Sequence, residues 1–424
     1  MSRLDELMAE IDRLRIEARA EWAKGPKILW FGDAAHTGFG TVTNDLVPRM
    51  LALGADVRSL SDNQMGDPIP WPLGERSYDI AKGTINPARI IVEGFEDGWK
   101  PDAVVMLGDT GNVRRTVLQT NATWTQAFAA VPTFHYVPIE GVDLPPRWAE
   151  LWNVVRPVAM SDFGAVEIAK VMGGRPPVIY HGVDTDTFYP VAANMPGNWM
   201  GQAVTSKDGA KAALKYPLDR VMVLRTDRHM PRKQQNRLIR AMVPVFQKYP
   251  QVDLVLHCRP EDEGGDLYDT ITKLPREIQD RVILTRAHNS WKGLPRSALN
   301  VLYNAADIYA TISAEGFGLT PAEALACGVP VVAMDYSTMP EVVGPAGVLV
   351  PYAHLDDNVY DHFWASIDED AFAAAIGRLV EKPAERRALG KEGPRHIKRM
   401  FDWDRSAAQF IALITAALPQ EAAA

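Results

Sequence analysis

The sequence predicts an α/β protein of two doubly wound domains, and three observations carry that prediction. Short apolar runs alternate with helical patterns in two successive series along the chain. The length, 424 residues, exceeds one ordinary domain, and 47% hydrophobic with 23% charged residues is enough apolar material for two full cores. Glycine loops follow the first run of the first series and a late run of the second, where open α/β sheets place their ligands.

The elements follow in order. Leu4, Met8, Ile11 and Leu14 recur at helical spacing, so residues 1–26 are read as an amphipathic helix that docks on the body or offers an oligomer contact. Acidic and basic residues are nearly balanced in it, which argues against a membrane-surface helix. The first domain is expected over 27–190. Its first strand is Lys27 to Phe31, after which Gly38-Phe39-Gly40-Thr41 leads into a helix through Leu46, Met50 and Leu53. Runs at Ala103 to Leu107, Thr133 to Val137, Val154 to Met160 and Pro177 to Tyr180 complete a mostly parallel sheet. Residues 191–215 lack periodicity and read as a linker or excursion. A second domain over 216–400 has strands near Val221, Val252, Val282, Ile308, Val331 and Val348, with helices near Leu238 to Lys248, Ala298 to Ala306 and Ala371 to Leu379. Residues 401–424 hold a last helix, Arg405 to Leu418.

Charge and cysteine content narrow the function classes. Residues 1–190 carry 18 basic and 25 acidic residues, which disfavours a nucleic-acid or anionic membrane partner for that half. The two cysteines, Cys258 and Cys327, are too few for a disulfide framework and read as core packing. The start of the chain lacks the order of a signal peptide and no apolar stretch reaches a membrane span of ~20 residues, so a cytoplasmic location is expected.

The segment richest in chemistry runs from Ala314 through Glu315-Gly316-Phe317-Gly318-Leu319-Thr320-Pro321 to Glu323. Thr320, Pro321 and Glu323 read as an N-cap, a first-turn proline and an N3 acid opening a helix that stops at Gly328. The glycines before it let backbone N–H groups approach a ligand, and the helix N-terminus favours an anion such as phosphate. The plain structural alternatives are a capping-box role for Glu323 and a solvated loop acid at Glu315.

Seven residues separate Glu315 from Glu323, and with Gly-Phe-Gly-Leu after the first acid the segment resembles the signature of retaining family 4 glycosyltransferases of the GT-B fold. The resemblance implies two Rossmann-like domains facing across a cleft, an N-terminal acceptor domain and a C-terminal nucleotide-sugar donor domain, with the last helix packing back on the first domain. It implies that Glu315 holds hydroxyls of the transferred sugar, that Gly316, Phe317, Gly318 and Leu319 offer N–H groups to sugar and diphosphate, and that Glu323 takes the ribose. Arg228-His229-Met230-Pro231-Arg232-Lys233 resembles the diphosphate grip, with Arg228 and Lys233 as its two cations and Arg232 an extra charge without an assigned partner. Phe134-His135-Tyr136 resembles the strand-end histidine that reaches the reaction centre, so His135 joins Arg228, Lys233 and Glu315 as a catalytic candidate. A satisfied core histidine is the structural alternative. Gly38 and Gly40 match the first glycine loop, beside the diphosphate, and Asp109 is an acceptor-side candidate.

The implied reaction is retaining transfer of a sugar from a nucleotide-diphosphate sugar to an acceptor hydroxyl, with no required cofactor or metal. A small molecule, glycan or protein is favoured as acceptor over nucleic acid. Acidic triplets at Asp184-Thr185-Asp186, Asp368-Glu369-Asp370 and Asp402-Trp403-Asp404 read as loop and helix-cap acids. His181 stands where the family usually has Asn, and Gln64 to Leu73 reads as an acceptor loop or a surface turn. The rival readings are a GT-B phosphorylase or sugar-nucleotide epimerase, a catalytically silent sugar-nucleotide-binding scaffold, and a dinucleotide-binding dehydrogenase using Gly38, Gly40 and Asp62. The last lacks its third glycine, since Thr43 stands there.

Overall fold

The computed structural model describes residues 25–35, 37–61, 77–79, 86–285, 293–358 and 362–419. The expected N-terminal helix, Asp62 and the Gln64 to Leu73 loop lie outside the described residues.

The first domain is a parallel sheet of β1 (Lys27–Phe31), β2 (Asp56–Ser61), β3 (Ser77–Asp79), β4 (Ala103–Leu107), β5 (Thr133–Val137) and β6 (Arg156–Ala159), in the order β3-β2-β1-β4-β5-β6. Both β4 and β5 are buried along their whole length, as a parallel strand covered on two faces must be, and this is why they read as unbroken apolar runs. The Pro177 to Tyr180 run adds only an isolated bridge from Val178 to Ala159. Helix α1 (Gly38–Ala52) follows β1 and is capped by Thr37, whose hydroxyl accepts from the Gly40 N–H at 3.0 Å.

The second domain repeats the plan. A hairpin of β7 (Gly197–Trp199) and β8 (Gln202–Val204) precedes a sheet containing β9 (Val221–Arg225) and β10 (Val252–Leu256). A small hairpin of β11 (Glu261–Asp262) and β12 (Gly265–Asp266) follows, then β13 (Val282–Leu284), β14 (Ile308–Thr311), β15 (Val331–Met334) and β16 (Gly347–Val350). The large sheet is parallel in the order β13-β10-β9-β14-β15-β16. Helix α2 (Arg296–Ala305) leads into β14, and α3 (Leu319–Ala326) follows it.

Two features depart from the sequence reading. Residues 191–215 are no loose linker: besides the β7–β8 hairpin they form a helix, Lys207–Ala213, with Val204 and Ala210 buried in the core. Lys211 donates to the Asp307 carboxylate at 2.8 Å, tying this helix to the start of β14. Each piece is too short to show a period. The second departure is an antiparallel hairpin of β17 (Tyr352–Asp357) and β18 (Phe363–Ile367). It reaches the first domain, where Val142 and Phe363 exchange backbone hydrogen bonds at 3.1 Å in both directions.

Helix α4 (Trp403–Ala417) packs on the first domain. Phe410 meets Trp30 and Tyr136 at ring-centroid distances of 6.2 and 4.8 Å, and Arg49 pairs with Asp404 at 2.9 Å. One buried apolar cluster runs from Trp30 and Tyr136 through Phe410 to Phe317 and Tyr303, so packing joins the two sheets through this helix.

Candidate active site

The strand ends of both sheets face a cleft of about 1920 Å³. From the second domain Arg228, Lys233, Glu315, Gly316, Phe317, Gly318, Leu319 and Glu323 line it, and from the first domain Gly38 and Asp109. Its centre is an ion cluster. Glu315, just past β14, is buried and accepts from Lys233 Nζ and Ser313 Oγ, each at 2.5 Å, and from Arg232 Nη1 at 2.9 Å. Burial opposes its charge, but Lys233 and Arg232 outweigh that and hold the carboxyl well below its ordinary value. Lys233 also pairs with Asp227 at 2.8 Å, which in turn pairs with Arg225 at 2.9 Å.

Arg232, noted in the sequence only as an extra charge, bridges the cleft. It binds Glu315 on its own domain and lies 3.3 Å from Glu140 of the first domain. Sequence reasoning missed Glu140, although a carboxylate just beyond the apolar run of β5 is the same signal that picked out Glu315 beyond β14. Burial lifts the Glu140 carboxyl to about 7 against the pull of Arg232. Arg228 is more exposed and is held by Asp262, the last residue of β11, at 3.1 and 2.9 Å and by Glu263, in the turn that follows, at 2.9 Å. Asp262 and Glu263 were also unforeseen, because their contact with Arg228 depends on how the hairpin folds back.

The start of α3 differs from the expected capping box. Gly318 is the N-cap, at φ 98°, a left-handed conformation that favours glycine, and Thr320 lies inside the helix. Its hydroxyl approaches Asp227 at 3.4 Å. Glu323 is thereby free of capping: it lines the cleft, accepts from the Tyr303 hydroxyl at 2.8 Å, and is pushed up to about 7 by burial. Arg296, close enough to favour its charge, pairs with Asp45 of α1 at 2.9 Å, a second link between the domains.

Two first-domain expectations are corrected. His135 does not reach the cleft; it is fully buried, with Nε2 at 2.9 Å from the Gly108 carbonyl oxygen and Nδ1 accepting from Trp152 Nε1 at 3.2 Å. Burial lowers it to about 4, so it stays neutral at physiological pH. Its position within β5 points the ring into the sheet packing. Gly40 is likewise turned inward: a Cβ there would lie 1.7 Å from the Ala35 carbonyl oxygen, so the absent side chain serves helix packing. His181, whose role the sequence left open, stacks on Trp403 at 5.5 Å and lies 4.8 Å from Phe317, an aromatic joint between the last helix and the Gly-Phe-Gly loop. Asp368 and Asp402 are helix N-caps, and Asp184 caps a turn.

Residues 220–382 match the family model described as glycosyl transferases group 1. The match falls within the second domain. The two-domain fold around it is GT-B. A glycosyltransferase from Rickettsia africae superposes with a TM-score of 0.66 at 15% identity, covering 94% of this chain and 100% of the other. The Anabaena HepE protein in complex with UDP-glucose gives 0.65 at 17%, covering 93% and 100%. In sequence, a D-inositol 3-phosphate glycosyltransferase of Mycolicibacterium smegmatis is 31% identical over 231 residues, 53% of this chain and 44% of that protein. A GDP-mannose-dependent phosphatidylinositol monomannoside mannosyltransferase of the same organism is 28% identical over 247 residues, 55% and 54%. The chain thus spans about half the length of the curated relatives it matches. The group 1 match contains Arg228, Lys233, Glu315 and Glu323, while Glu140 and Asp109 lie outside it. Among the described residues no helix is long and apolar enough to cross a membrane.

Proposed function

We propose that the protein is a retaining glycosyltransferase that moves a sugar from a nucleotide-diphosphate sugar to an acceptor hydroxyl. The observation that carries this reading is Glu315, held ionised beside Lys233 and Arg232 at the mouth of the α3 N-terminus, inside the segment that matches group 1.

In this reading Glu315 binds hydroxyls of the transferred sugar and Glu323 the ribose. The first-turn N–H groups of α3 have no partner within the helix and face the diphosphate. Negative charge collects on that leaving group as the sugar–phosphate bond breaks, and fixed cations in a low-dielectric cleft stabilise it. Lys233 and Arg228 supply the charge. Both are ion-paired now, Lys233 with Glu315 and Asp227, Arg228 with Asp262 and Glu263, so their side chains are already oriented and little reorganisation is needed when the diphosphate arrives. The departing phosphate oxygen takes the acceptor proton, and no step is assigned to a metal.

The names of the relatives and fold neighbours include both GDP-mannose and UDP-glucose, so the donor test spans both bases. Binding and hydrolysis are measured across UDP-, GDP-, ADP- and dTDP-sugars for wild type, Glu315→Ala and Lys233→Ala. One sugar nucleotide should bind, and turnover should fall on the order of 100-fold in Lys233→Ala, as for loss of one transition-state charge partner. Binding of NAD or NADP alone, or of no nucleotide, would refute the transferase reading.

A further inference from the structure

The two walls of the cleft differ in charge: the second-domain wall carries acids and cations together, whereas the charged side chains described on the first-domain wall are acids alone. Among the described residues, the cations on its lining, Arg228, Arg232, Lys233, Arg237, Arg240 and Arg296, all come from the second domain. The charged groups on the first-domain wall are Asp33, Asp109 and Glu140, each just beyond the C-terminal end of a strand, β1, β4 and β5. Arg232 is the cation that reaches this wall, and its guanidinium is already taken by Glu315, Glu140 and the Ala314 carbonyl.

The same wall holds an independent sign of a polar ligand. Thr110 lines the cleft, is only 3% exposed, and its hydroxyl has no hydrogen-bond partner. Such a group ordinarily finds one, and a ligand hydroxyl in the cleft would supply it. Trp124 and Trp148 also face the cleft here, offering apolar surface for the C–H face of a ring compound.

We infer that the acceptor is a hydroxyl compound without phosphate or carboxylate, a neutral sugar or polyol, seated on this wall with Glu140 accepting a hydrogen bond from an acceptor hydroxyl next to the attacking one. The inference rests on the transferase reading and names its second substrate. The new bond joins the acceptor oxygen to the anomeric carbon, the old sugar–phosphate bond leaves with its electron pair on the diphosphate, and the hydroxyl proton passes to the phosphate oxygen. Glu140 orients the acceptor through the neighbouring hydroxyl and takes no proton in the step. A phosphorylated acceptor would set its charge against a wall whose described charged side chains are acids alone, and its approach would oppose the ionisation of Glu140 and Asp109 further.

The test uses the full chain and the donor identified above with three matched pairs: glucose and glucose 6-phosphate, myo-inositol and inositol 3-phosphate, glycerol and glycerol 3-phosphate. In at least one pair the neutral member should be glycosylated with a kcat/KM at least ten times that of its partner. Glu140→Gln should lower acceptor kcat at least tenfold while the donor Kd moves less than twofold, and Asp109→Asn should narrow the discrimination against phosphate. A phosphorylated member that reacts as well as its neutral partner overturns the inference, as does a panel in which no neutral member reacts. Donor binding that survives in wild type and disappears in Lys233→Ala keeps the transferase reading standing in either case, whereas absence of donor binding sinks both.

Discussion

The chain contains the same tripeptide, Gly-Phe-Gly, at the head of a helix in each domain, and the two copies do different work. In Gly38-Phe39-Gly40 the first glycine opens on the cleft with nothing near it, and the last is pressed beneath the Ala35 carbonyl. In Gly316-Phe317-Gly318 the first glycine meets the other domain, since a Cβ there would lie 2.3 Å from Pro138 Cβ, and the last takes the left-handed N-cap of α3. Phe317 packs on His181 and on Phe401, at 5.2 Å, so this loop is a joint as well as part of the cleft lining. Identical local sequence therefore specifies a missing Cβ, and the surroundings decide what occupies the space.

The largest expected effect is at Gly40. Gly40→Ala drives a methyl into a backbone carbonyl, and unfolding measurements should show a loss of about 3 kcal/mol, with donor affinity of the remaining folded protein intact. Gly316→Ala forces the domains apart at Pro138; it should cost less stability than Gly40→Ala and, in the protein that folds, cut turnover roughly 100-fold, equivalent to about 2.7 kcal/mol of barrier, because groups from both walls must meet. If the two phenotypes were exchanged, the contrast drawn between the loops would be wrong.

Next in size is a pH effect on the second loop's helix. Glu323 has a folded value of about 7 against an ordinary 4.5, so between those values the folded state keeps a proton that the unfolded chain releases. Stability contributed at this site therefore falls as pH rises through that window and stays lost above it. Glu323→Gln keeps an acceptor for Tyr303 and removes the charge; relative to wild type it should gain on the order of 2 kcal/mol above about pH 7 and nothing below about pH 4. A difference that does not change with pH would place the Glu323 proton elsewhere. The smallest effect is at Gly38, where an added methyl meets open space: Gly38→Ala should shift stability by less than about 0.5 kcal/mol. A larger change there would mean that the first loop is as constrained as the second.

Legibility in the sequence followed the same division between local and distant causes. Strands β1, β4 and β5 were readable to the residue because a strand buried on both faces is mostly apolar. Glu315 and Lys233 were readable as candidates through their motifs, and the cluster they form together in the cleft was not, because it is made by residues 82 positions apart. His135 misled because a strand-end motif does not say which way a side chain points once the strand continues through it. The β17–β18 hairpin was missed because β17 is exposed along nearly its whole length and carries no apolar pattern, although the hairpin hydrogen-bonds to the first domain.

What the amino-acid order determined by itself was the alternation of strands and helices and the acids and cations of the segment that matches group 1, properties set within a few residues by side-chain burial and backbone preference. The tertiary structure alone decided that Arg232 bridges Glu315 and Glu140, that Arg228 is held by Asp262, and that Glu323 turns from cap to cleft. Those are choices among charged groups far apart in the chain, and a charge selects its partner only where folding removes water and brings the two within a few ångströms.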